Sequence, residues 1–69
     1  MVSRAGCHLC ELAEQAIRRL GIQVEMVDVD QHPDLLQAFD FRVPVLLRQG
    51  AVIAEGNLDD SVLLAAIGA

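Results

Sequence analysis

The sequence predicts a single small α/β domain, and three observations carry that prediction. Apolar residues recur with helical spacing directly after a Cys7-His8-Leu9-Cys10 dithiol, Val- and Ile-rich runs alternate with helical ones, and Gln49-Gly50 separates two short apolar strands. Sixty-nine residues leave no room for a second core, so residues 1–69 read as one domain. Apolar residues make up 54% of the chain, which favours a folded globule over disorder.

The first helix is read from Leu12, Ala13, Ala16, Ile17 and Leu20, which fall on one face behind the cysteines. Glu11, Glu14, Gln15, Arg18 and Arg19 take most of the other side, with Glu14 one turn before Arg18. Gly21 ends the helix, because glycine adopts the left-handed cap at little cost. The run IQVEMVDVD reads as a strand over about residues 23–29. Pro33 suits the first turn of a short helix whose apolar contacts are Leu35, Leu36 and Phe39. Strands over about residues 45–48 and 51–54 flank Gln49-Gly50, with Gly50 supplying a positive dihedral. Asn57 is the predicted cap of a last helix, with Asp60 three positions on and Leu58, Val62, Leu63, Ala66 and Ile67 as its apolar face. Ahead of Cys7 there is room only for a stub of strand at Met1-Val2-Ser3.

Ten acidic residues stand against five arginines and no lysine, for a formal net charge of -5. That balance disfavours a binder of phosphate backbones, so no nucleic-acid partner is expected. No stretch approaches the roughly 20 apolar residues that span a bilayer, and no secretory signal is read, so no membrane partner is expected. Two close cysteines in a chain of this kind point to a local dithiol and a cytoplasmic setting rather than to a stapling framework.

At the start of a helix the unpaired amides favour an anion, which makes Cys7 the candidate nucleophile and Cys10 the candidate resolving thiol. Arg4 and protonated His8 are candidates to favour the thiolate further. A bare CxxC also fits two small apolar residues in a core. A zinc site would need four ligands, and no second cysteine pair exists. His8 lies between the cysteines and does not readily converge with them, so no metal ligands are assigned.

The stretches RAGCHLC, VDVDQHPDLLQAF, FRVPVLL and GNLDD follow one another in an order and spacing that covers almost the whole chain. In them the chain resembles the small bacterial glutaredoxin-like proteins of the thioredoxin-fold superfamily. The resemblance implies a compact thioredoxin-like fold: a mixed four-stranded sheet flanked by three helices, with an unusually short first strand lying between the second and third. A central strand so short implies reduced stability, or compensation by another chain. The resemblance also implies a cis peptide bond at Val43-Pro44, with the backbone of Val43 aligning the bound thiol against Cys7. For glutathione it implies a basic residue at Arg4 and a second contact segment at Gly56, Asn57, Asp59 and Asp60, with Asp60 meeting the ligand's ammonium. His8 and Leu9 stand where the commonest glutaredoxin pattern has proline and an aromatic residue, and Asn57 replaces the second glycine of a common pair. These departures bear on glutathione preference and on rate.

The leading expectation is thus a monomeric thiol–disulfide oxidoreductase that reduces glutathione mixed disulfides or protein disulfides through Cys7 and Cys10. Glutathione would be a cosubstrate and no cofactor would be bound, and a thioredoxin system is a candidate reductant. The alternatives are a noncatalytic, redox-sensitive interaction domain and a protein that handles a metal or an iron–sulfur cluster.

Overall fold

The computed structural model describes residues 1–68. The elements run β1 (Val2–Ser3), α1 (His8–Leu20), β2 (Val27–Asp28), a 3₁₀ turn (Val29–Gln31), α2 (Pro33–Phe39), β3 (Val45–Arg48), β4 (Ala51–Glu55) and α3 (Asp60–Ile67). The four strands form one sheet in the order β2-β1-β3-β4. Val2 and Ser3 pair in parallel with Val27 and Asp28, while Val2 pairs antiparallel with Val45 and β3 pairs antiparallel with β4. This is the mixed sheet of a thioredoxin-like fold, and its central strand is the short one.

Alternation across the strands divides the core in two. Met1 and Leu46 face one side, where they pack with Ala13, Ala16 and Ile17 of α1, Leu58, and Leu63 of α3. Val2 and Val45 face the other side, against Val29 and the α2 residues Leu35, Leu36 and Phe39. The sheet therefore lies between α1 and α3 on one face and α2 on the other.

Three local expectations are corrected. The run over residues 23–29 contributes only Val27 and Asp28 to the sheet, because β1 offers just two residues in register with it. Val29 instead enters the 3₁₀ turn, which Asp28 caps by accepting the Asp30 amide at 2.9 Å. The cap of α3 is Asp59, not Asn57: its carboxylate accepts the Val62 amide at 3.0 Å and the Ser61 hydroxyl at 2.7 Å. Leu58 and Leu63, on either side of that cap, are both buried and form a hydrophobic staple that fixes where the helix begins. Leu12 is 44% exposed and lies off the buried face of α1, which is formed by Cys10, Ala13, Ala16 and Ile17.

The other helix and turn signals act as predicted. Gly21 caps α1 at φ 71°, and its amide donates to the Arg18 and Ile17 carbonyls. Gln49 and Gly50 both have positive φ, 51° and 81°, as a two-residue hairpin loop requires. A register shift between Leu46 and Leu47 places one extra residue in β4. At the end of the sheet away from the cysteines, an apolar groove of about 700 Å³ lies between residues 22–25 and β3, with Val24, Leu47, Ile53 and Ile67 in its lining.

Candidate active site

The site begins where β1 gives way to a turn. The Cys7 amide donates to the Arg4 carbonyl at 3.3 Å, and Gly6 takes φ 78°, a conformation glycine adopts without the penalty of a Cβ. The turn delivers Cys7 to the cap of α1 in an extended conformation, and its carbonyl accepts the Glu11 amide at 3.0 Å. The Cys7 sulfur itself accepts the Cys10 amide at 3.3 Å. Cys7 thus caps its helix through sulfur, where other helices use a hydroxyl or carboxylate oxygen.

The two thiols differ in access. Both are free, but Cys7 is half-buried and Cys10 is buried at 3% exposure. Burial first, and then hydrogen bonding with Cys7, pushes the Cys10 thiol up to about 11. One helical turn therefore holds an approachable sulfur in front and a protected, protonated one behind it.

Arg4 points across the fold rather than into open solvent. Its guanidinium makes a two-pronged pair with Asp30, both contacts at 3.0 Å, and also reaches the Asp40 carboxylate at 2.6 Å and the Asp40 carbonyl at 3.1 Å. It ties the turn ahead of Cys7 to the 3₁₀ turn and to the end of α2. Asp30 and Asp40 were not singled out by the sequence, since they lie 26 and 36 positions from Arg4 and only the fold brings them together.

The Val43-Pro44 bond is cis, as the resemblance implied. Pro44 is buried, and its carbonyl accepts the Gly56 amide at 3.0 Å, which joins the proline segment to the Gly56 segment. Asn57 is exposed, Asp59 is engaged as the α3 cap, and Asp60 pairs with Arg19 of α1. His8 is exposed in the first turn of α1. Among the described residues, no three or more His, Cys, Asp or Glu side chains come together as a metal site.

The family model for the glutaredoxin-like domain (Glrx-like, DUF836) matches residues 1–68. The chain belongs to the glutaredoxin-like domain family. No curated protein and no solved structure matches it. In this glutaredoxin-like domain, the close cysteine pair at the head of α1 is consistent with a redox-active site. No helix among the described residues is long and apolar enough to cross a membrane.

Proposed function

We propose that this glutaredoxin-like domain is a thiol–disulfide oxidoreductase with Cys7 as its nucleophile and Cys10 as its resolving thiol. The observation that carries the reading is the asymmetry of the pair: Cys7 is approachable and held at the helix cap by the Cys10 amide, while Cys10 is buried behind it. Cys7, as thiolate, attacks one sulfur of a substrate disulfide; a Cys7–substrate disulfide forms and the other half leaves as a thiolate. Cys10 then gives up its proton and attacks the Cys7 sulfur, closing a Cys7–Cys10 disulfide and releasing the second substrate thiol. The reduced substrate keeps the two electrons it gained, and an external thiol reductant, either glutathione or a thioredoxin system, supplies two more to reopen the Cys7–Cys10 disulfide and is itself oxidised.

The substrate approaches along the backbone of Val43, which the buried Pro44 follows, with Gly56 and Asn57 beside it. This arrangement is supported by the Gly56–Pro44 hydrogen bond, which gives the two segments one surface. Glutathione mixed disulfides and protein disulfides are both candidates. For glutathione, a carboxylate competes with Asp30 and Asp40 for Arg4, and its ammonium competes with Arg19 for Asp60. A dithiol that rests reduced suits the cytoplasm.

The test is turnover of a glutathionylated peptide by wild type, Cys7→Ser and Cys10→Ser, supplied with glutathione or with a thioredoxin system. Wild type turns over and Cys7→Ser does not. Failure of wild type with both reductants overturns the catalytic reading and leaves the noncatalytic interaction domain in its place.

A further inference from the structure

Positive charge is almost fully neutralised over the described residues. Among the described residues four of the five arginines are seen paired: Arg4 with Asp30 and Asp40, Arg18 with Glu14, Arg19 with Asp60 and Arg42 with Glu55. Arg42 also lies over the Phe39 ring, 5.0 Å from its centroid. Arg48 is the remaining arginine, and it closes β3 at the hairpin. Because β1 runs antiparallel to β3 and leads into Cys7, the hairpin lies at the opposite end of the sheet. Arg48 shares a groove there with Gly21, the far end of the helix that Cys7 begins, some 20 Å away along its axis.

Negative charge, in contrast, is plentiful around the thiols. A cleft of about 440 Å³ beside Cys10 has Glu11, Glu14 and Asp28 in its lining against one cation, Arg4, which Asp30 and Asp40 already hold; of the three carboxylates only Glu14 pairs with an arginine among the described residues. Two carboxylates meet the single guanidinium of Arg4, so that cluster carries a net negative charge.

The same end presents apolar surface to solvent. Leu9, between the cysteines, is 42% exposed, and Phe41 is 94% exposed. Phe41 follows Asp40, which Arg4 holds, and the Arg4 carbonyl holds the Cys7 amide. The aromatic ring is therefore mounted on a loop anchored to the dithiol turn. A side chain of this size left almost wholly in water gains most by covering itself with an apolar partner.

Taking the oxidoreductase reading as given, we propose that the substrate is a polypeptide disulfide whose cysteine is flanked by apolar and basic residues, and that Phe41 determines this specificity. Glutathione disulfide carries four carboxylates against two ammonium groups. It meets repulsion from the acidic rim and finds no unpaired arginine beside Cys7. A basic, apolar peptide finds attraction from the rim and cover for Phe41 and Leu9.

The experiment compares single-turnover oxidation of the reduced domain by two probes. One is oxidised glutathione, and the other is the disulfide-linked dimer of an octapeptide whose cysteine stands between leucine and lysine. Formation of the Cys7–Cys10 disulfide is followed by mass. The peptide reacts about tenfold faster at low salt, and the advantage shrinks as salt screens the rim. In Phe41→Ala, which removes only exposed surface, the peptide-to-glutathione rate ratio falls by about fivefold. Equal or faster reaction with glutathione, or an unchanged ratio in Phe41→Ala, overturns the assignment of substrate. Reaction with neither probe overturns the oxidoreductase reading itself.

Discussion

Alkylation across pH tests the division of labour between the two thiols. Cys10 is 3% exposed, and its thiol is pushed up to about 11 from an ordinary 9.0, chiefly by burial. Below pH 9 the thiolate fraction of such a group is about one-hundredth of that of an ordinary thiol, since each tenfold change in equilibrium is one pH step. Only the thiolate reacts, so ionisation alone slows modification of Cys10 up to about a hundredfold relative to the same residue in the urea-unfolded chain. The Cys7→Ser variant isolates Cys10 and retains the larger cause, burial, while losing the hydrogen bond with Cys7. The assay is iodoacetamide labelling between pH 7 and 11, read by mass in the presence and absence of urea. Equal labelling of Cys10 in the two states at pH 8 refutes the reasoning. The same shift has a consequence for stability. A thiol whose folded value is raised favours the fold fully below its unfolded value, and that contribution is lost as pH rises from about 9 to about 11.

Leu63→Ala removes a fully buried side chain between α1, the sheet and the α3 staple, at a cost of about 2–5 kcal/mol. A domain of this length has roughly 3–10 kcal/mol in total, so urea unfolding shows loss of a large share of it; a midpoint near that of wild type counts against the packing described. Asp59→Ala lowers the melting temperature at neutral pH. Hydrogen bonds from Val62 and Ser61 hold the Asp59 carboxyl below its ordinary 3.8, so the cap stabilises above that pH and is lost as pH falls through the lowered value; a wild-type-to-variant gap that persists at pH 2 argues against the cap. Arg4→Gln releases both carboxylates, and amide exchange at Cys7 and over residues 40–43 speeds up relative to the rest of the chain. Exchange unchanged at both segments shows that Arg4 does not hold them.

Local signals were legible in the sequence and long-range ones were not. Ala13, Ala16, Ile17 and Gly21 placed α1, and Gln49-Gly50 placed the hairpin, because each depends on residues within a turn or two. The Val-rich run ahead of Asp28 looked like a full strand, yet a strand needs a partner, and β1 supplies only Val2 and Ser3. At α3, Asn57 and Asp59 are both good caps by residue type. The burial of Leu58 beside Leu63 selects Asp59, and burial is a tertiary fact. The dithiol and Val43-Pro44 were singled out from the residues and the resemblance. What Arg4 and Asp60 touch was not, because their partners lie at sequence separations of 26 to 41. The exposure of Phe41 was equally hidden, since no local sequence signal says which face of the fold a lone phenylalanine takes.

The most direct measurement of the central claim is the trapped intermediate. Reduced Cys10→Ser is mixed with a glutathionylated peptide and its adducts are mapped by peptide mass. The account predicts a mixed disulfide on Cys7 that accumulates because no buried thiol remains to resolve it, whereas wild type passes on to the Cys7–Cys10 disulfide. Absence of any adduct on Cys7 while the peptide disulfide stays intact contradicts it.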